Sequence, residues 1–158
     1  MIGLTGCTPA QEQETSMQYT EARAELTDLL TAIAATVPGE WEKVDAGARP
    51  CSIGGSTGVQ FPMLRRGPGV IDGQQEATAE AIGQLLTDAG FAPVIRDRTP
   101  TGSAVVVELN YPGEGGDDTG FFVKVMVGTA RVTAQGQSRC AEGDANRINH
   151  DRQESEND

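Results

Sequence analysis

The last third of this chain holds three runs in which apolar residues occupy every second position, and a chain carrying them is committed to a sheet. In 103–111, Val105, Val107, Leu109 and Tyr111 share one parity, while Glu108 and Asn110 take the other. In 121–127 the apolar parity is Phe121, Val123, Val125 and Val127, with Lys124 opposite. In 129–137 it is Ala130, Val132 and Ala134, with Arg131, Thr133 and Gln135 opposite. Gly128 makes a tight reversal, and the glycine-rich stretch 112–120 separates the first two runs. Strands with one apolar side, joined in succession, form an antiparallel meander.

Something must cover the apolar side, and the first half of the chain supplies it. From Met17 onward, Tyr19, Ala22, Leu26, Leu29, Leu30 and Ile33 recur at three- and four-residue steps, the stripe of a helix. Val37-Pro38-Gly39 stops that helix, and Trp41 is placed to plug the end of the core. Asp72 reads as the N-cap of a second helix, with Gln75 as its capping-box partner. That helix runs from about Gly73 to Ala89, with Ala77, Ala81, Ile82, Leu85, Leu86 and Ala89 as its stripe. Gly90 follows as a C′ glycine, with Phe91 as the apolar contact of a Schellman turn. Between the helices the pattern gives a short strand at 43–45, a loop over 46–58, and a strand at 59–64 that Pro62 assigns to an edge or a bulge. A further strand is expected at 93–97. The fold expected is α+β: a two-layer sandwich, one antiparallel sheet of about five strands with two helices packed on one face. Residues 1–16 read as a leader remnant and tether, 17–140 as the domain, and 141–158 as a disordered acidic tail.

Charge narrows the partners. The net charge of -11 repels a phosphate backbone, so no nucleic-acid partner is expected. It also opposes electrostatic docking on anionic lipid, so any membrane link should be covalent. No apolar run reaches the length of a membrane-spanning helix.

The three cysteines divide into one and two. Cys7 closes Leu4-Thr5-Gly6-Cys7, a lipobox-like run, and the polar stretch 8–16 follows it. This makes Cys7 the expected lipidation site and the membrane the expected partner. The residues before Cys7 lack a basic stretch and an apolar run, so the anchoring reading expects both to be encoded in frame upstream of Met1. Cys51 and Cys140 stand at the two ends of the globular part, either as a disulfide or as two unrelated thiols. A disulfide there would persist only in an oxidising compartment.

The remaining motifs are weaker. Gly54-Gly55-Ser56-Thr57-Gly58 fits the serine-nucleophile elbow, but a loop precedes it and a strand follows, and the chain's one histidine, His150, lies in the tail. One histidine and three cysteines give no zinc set. Glu114, Asp117 and Asp118 could offer oxygens to calcium, at a spacing unlike an EF-hand. Arg65-Arg66 and Arg96 with Arg98 read as solvated strand ends. No phosphate-binding glycine loop occurs, and no metal, cofactor or catalytic residue is expected.

Taken together, these features resemble the mycobacterial LppA-like lipoproteins of actinobacteria. The resemblance rests on Leu4-Thr5-Gly6-Cys7, the helix ending at Val37-Pro38-Gly39 with Trp41 after it, and Cys51 in the next loop. It continues through the second helix ending at Gly90, the Gly120-Phe121-Phe122 entry to a strand, and a final strand leading to Cys140. It covers roughly residues 4–142 and implies an exported, lipid-anchored, disulfide-bonded α+β domain. The expected function is therefore a non-enzymatic, membrane-anchored extracytoplasmic lipoprotein binding a protein or small envelope component. Two other classes are a prophage-borne lipoprotein that excludes related phages, and an envelope hydrolase using Glu108 with Asp117 or Asp118.

Overall fold

In the computed structural model, which describes residues 17–97, 104–110 and 120–157, the first apolar stripe becomes α1 (Tyr19–Ala35). Its buried residues are Ala22, Leu26, Leu29, Leu30 and Ile33, the positions that the three- and four-residue spacing selects. After Pro38, Trp41 folds back and its indole Nε1 donates to the Val37 carbonyl at 3.0 Å. The indole lies directly on Gly67, where only the absence of a Cβ leaves room for the ring.

The main sheet has six strands, all antiparallel to their neighbours: β1 (Glu42–Asp45), β4 (Pro62–Pro68), β8 (Arg131–Gln137), β7 (Phe122–Gly128), β6 (Ala104–Asn110) and β5 (Val94–Asp97), in that spatial order. The meander expected from 103–137 is its centre. Val105, Val107, Val123, Val125, Val127, Val132 and Ala134 are buried and form the floor of the core. Helix α1 packs over β8, β4 and a further strand, β3 (Ser56–Gln60), and α2 (Gln75–Asp88) over β5, β6 and β7.

A second, two-stranded sheet occupies the stretch that the pattern assigns to a loop. The stretch 46–58 contains β2 (Arg49–Ile53), and the segment read as a single strand at 59–64 is divided between β3 (Ser56–Gln60) and β4. Gly54 and Gly55 turn the β2–β3 hairpin with φ of +52° and +84°, the left-handed pair that a two-residue hairpin favours. Pro62 does not mark an edge: β4 lies between β1 and β8. Proline is tolerated because it is the first residue of the strand.

The second helix starts later and is turned relative to the alanine-based stripe. Gln75, Ala79, Ile82, Gly83 and Leu86 are buried, whereas Ala77, Ala81 and Ala89 are exposed. Alanine burial brings little free energy, so Ile82 and Leu86 set the face. Gly83 then lets Ile95 of β5 approach closely. Asp72 and Gln75 do contact each other, Nε2 to Oδ1 at 3.2 Å, but as a turn before the helix rather than as a capping box. At the other end the Schellman turn is complete. Phe91 N–H donates to Leu86 O at 3.0 Å, Gly90 N–H donates to Thr87 O at 2.9 Å, and Gly90 has φ of +93°. Phe91 then stacks on Phe121 with ring centroids 5.5 Å apart.

The segment expected to be a disordered tail carries α3 (Ala145–Glu156). Asp144 caps it by accepting from Arg147 N–H at 3.0 Å. Ala145, Ile148, Asn149 and Arg152 are its less exposed residues, a face at helical spacing in which only two members are apolar. Asn149 clasps the β1–β2 connection with two hydrogen bonds, accepting from Ala48 N–H and donating to Ala48 O, each at 2.9 Å. Gly47, with φ of +81°, makes room: a Cβ there would meet Asn149 Oδ1 at 2.8 Å. Among the described residues no helix is long and apolar enough to cross a membrane.

Candidate functional site

The junction between the two sheets is built by one extra residue. The β4–β8 ladder ends at Pro62 opposite Gln137. The pairing continues with Ser138 N–H donating to Phe61 O at 3.0 Å, and Phe61 N–H donating to Ser138 Oγ at 2.9 Å. Val59 and Ala141 then exchange both backbone hydrogen bonds at 2.8 Å. Residues 138–141 thus oppose 59–61, a bulge that bends the chain out of the main sheet and along β3. This route brings Cys140 beside β2, where it is bonded to Cys51 with a Cα–Cα distance of 5.9 Å and 89 residues between them in sequence. The bond fastens the outer strand of the hairpin to the body, which the ladder reaches only through β3. Cys7 lies outside the described residues.

The other sequence candidates sort as follows. Ser56 opens β3 directly after the Gly54-Gly55 turn, with no helix following, so the nucleophile-elbow geometry is absent there. His150 is exposed on α3 and lies 3.8 Å from Glu154. Together with Asp151 these two form an exposed group whose ligand atoms lie within 4.8 Å of one another. Glu108 sits on the sheet face away from the helices, 3.7 Å from Arg96 Nε and 3.6 Å from Lys124 Nζ. Arg98, Glu114, Asp117 and Asp118 lie outside the described residues.

Arg66 is an exposed strand residue paired with Glu42 at 3.2 Å, but Arg65 is not solvated. It is 3% exposed on the helix-facing side of β4, with Nη1 2.5 Å from Asp45 Oδ1 of β1. Alternation explains the difference: Met63 and Arg65 share the inward parity of β4, and Arg66 takes the outward one. A strand beginning at Pro62 would have given that parity from the sequence.

Two of the concavities among the described residues border the helices. The first is a groove of about 580 Å³ between the middle of α1 and the C-terminal end of α2. Leu29, Ala32, Leu85, Ala89 and Phe91 give it apolar walls, and Glu25, Asp28 and Asp88 stand around it. Glu25 is tied to Arg139 Nε at 2.8 Å, and Asp88 accepts from Gln84 at 2.7 Å. The negative end of the α2 dipole adds to this field, with no basic residue in the last turn to offset it. The second is a smaller cavity of about 40 Å³ beneath α3, walled in part by Arg23, Asp45, Phe61, Met63 and Arg152.

Fold and site together define a disulfide-bonded α+β domain with an acidic groove between its two sheet-packed helices. The sequence matches no family model and no curated protein. Among solved structures it is similar to a DUF4853 family protein from Actinomyces odontolyticus ATCC 17982, with a TM-score of 0.49 and 15% identity over 76% of this chain and 64% of that one.

Proposed function

We propose that this chain is a non-enzymatic binding protein of the extracytoplasmic face of the cell membrane, lipid-anchored through Cys7. The observation that carries the reading is the Cys51–Cys140 bond, because such a bond is kept only where thiols are oxidised. Cys7 is separated from the first helix by a polar stretch long enough to hold the domain off a bilayer. The α1–α2 groove is the surface offered to a partner. Its apolar walls and carboxylate rim suit a basic amphipathic segment of an envelope protein.

The hydrolase reading has less support. Carboxylate catalysis needs one acid kept protonated in an apolar pocket beside an ionised one. Glu25 in the groove is already spent on Arg139, and Glu108 lies between Lys124 and Arg96.

The experiment is expression from the natural gene with its upstream DNA, in an actinobacterial host fed an alkyne-labelled fatty acid. The expected result is label in the wild type, no label in Cys7→Ala, and a Cys51–Cys140 peptide in a non-reducing mass-spectrometric digest. Free thiols at both positions in the exported protein would end the compartment reading. An unlabelled wild type would end the anchoring reading alone.

A further inference from the structure

The cavity beneath α3 has a charge imbalance that the rest of the molecule does not explain. Arg23 of α1, Asp45 of β1 and Arg152 of α3 meet there. Asp45 is already engaged by buried Arg65, through Nη1 at 2.5 Å and Nη2 at 3.5 Å. Neither Arg23 nor Arg152 has an ion-pair partner among the described residues. The cavity wall therefore carries two arginines without a counter-ion and one carboxylate that Arg65 engages from outside the cavity. This occurs on a chain with 23 acidic and 12 basic residues, where acids to pair with are plentiful.

One donor in the wall is unsatisfied as well as the charge. Arg152 Nε is shielded from solvent and has no acceptor among the described residues. Leaving such a donor unpaired costs about 1–3 kcal/mol; Arg65 Nε is a second orphan of this kind, closed in the core, whereas Arg152 Nε borders a cavity that has room for an acceptor. Arg23 lies over the Phe61 ring with Cζ 5.5 Å from the centroid. That contact uses the face of the guanidinium and not its N–H donors.

We propose that this cavity binds a small oxyanion, a carboxylate or phosphate group, held between Arg23 and Arg152. Guanidinium forks match the two oxygens of either group, which gives charge and hydrogen-bond geometry together. The cavity of about 40 Å³ equals roughly three water positions at ~10–15 Å³ each, enough for one such group and not for a bulky ligand body. Any larger portion of the ligand would project past Arg23, which is exposed at the mouth. The bound group would link α1 to α3. The site is separate from the α1–α2 groove and does not depend on the anchoring reading.

The test uses the ¹⁵N-labelled, disulfide-intact chain, titrated separately with inorganic phosphate and with acetate at constant ionic strength set by chloride. The expected result is a saturable shift of the Arg152 Nε–Hε resonance and of the Gly47 and α3 amides. Arg23→Gln and Arg152→Gln should each weaken binding about tenfold. Arg147→Gln, on the exposed side of α3, should change it less than about twofold. Saturation by phosphate alone assigns a phosphate group, and saturation by acetate assigns a carboxylate. Arg152→Gln could unseat α3, so Arg23→Gln carries the decision: saturable binding that survives it unchanged overturns the site. Shifts that grow linearly with both salts, or equal weakening by Arg23→Gln and Arg147→Gln, overturn it too.

Discussion

Arg65 of β4 and Asp45 of β1 form an ion pair in which the arginine is 3% exposed and the aspartate 38%. The arginine sits among core residues, with Met63 beside it and a second hydrogen bond to the Leu64 carbonyl at 3.0 Å. Its position in the sheet buries it; its partner comes from the strand at the sheet's edge.

That asymmetry predicts the order of two substitutions. Asp45→Ala leaves a buried guanidinium without its counter-ion, which for a fully buried pair costs about 3–5 kcal/mol. Asp45 is partly exposed and water can reach its place, so about 1–3 kcal/mol is expected. Arg65→Met removes the charge and keeps most of the volume, so it should cost less, or even stabilise. Urea unfolding of both variants measures this. A larger loss for Arg65→Met would mean that attraction, and not burial of the charge, dominates the pair.

The same residue shows what was legible in the sequence. Alternation located β6, β7 and β8 because their buried inward residues are valine and alanine. It misread Arg65 because a charged residue on an inward parity looks outward until its partner is known, and Asp45 is 20 residues away in the chain. Helix α3 was missed for a related reason: two of its four docking residues, Asn149 and Arg152, are polar and work through hydrogen bonds and charge. Asp144 as an N-cap and the 145/148/149/152 spacing were the available signals. The β2–β3 hairpin has no alternating apolar pattern, so only Gly54-Gly55 announced it. Of the sites, the two distant cysteines were readable, while the groove and the cavity depend on helix rotation and docking that no local pattern carries.

Gly67→Ala tests the seat of the chain's one tryptophan. A methyl at this position collides with the Trp41 ring. The indole must swing out, losing its 3.0 Å hydrogen bond to Val37 O and its burial against the core. Overpacking of this kind typically costs about 1–3 kcal/mol. The expected readout is a red-shifted tryptophan emission with a lower urea midpoint. A midpoint loss with unchanged emission would show that the backbone, and not Trp41, had moved.

Removing the disulfide should loosen one region before the others. The chain-entropy model credits a loop of this length with about 4–5 kcal/mol, an upper-end figure. In a Cys51→Ser/Cys140→Ser variant, amide exchange in β2 and β3 should accelerate at temperatures where β6, β7 and β8 remain protected. The hairpin would keep the Val59–Ala141 pairing, the Phe61–Ser138 hydrogen bonds, the packing of β3 under α1 and the Asn149 clasp on Ala48, all of them on the side of β3 or before β2. Uniform acceleration across the whole sheet would mean that the bond stabilises the domain as one unit.

The groove makes the most selective prediction about partners. Asp28 has no ion-pair partner among the described residues, and Asp88 stands at the end of α2 where a helix disfavours negative charge. Both carboxylates are therefore available to cations from outside. A synthetic amphipathic helix of Leu and Lys should bind there, and the same pattern built from Leu and Glu should not. On a chain of net charge -11 any cationic peptide is attracted, so the decisive comparison holds charge constant. Asp28→Asn/Asp88→Asn should weaken binding about tenfold, while Glu76→Gln/Glu80→Gln, the same charge change on the exposed N-terminal half of α2, should weaken it about twofold. Leu85→Ser should also weaken it, because the apolar wall and not the rim supplies the burial. Equal losses from the two double variants would reduce the groove to general electrostatics. Concentration-dependent dimerisation that the peptide blocks would identify a second copy of this chain as the occupant in its place.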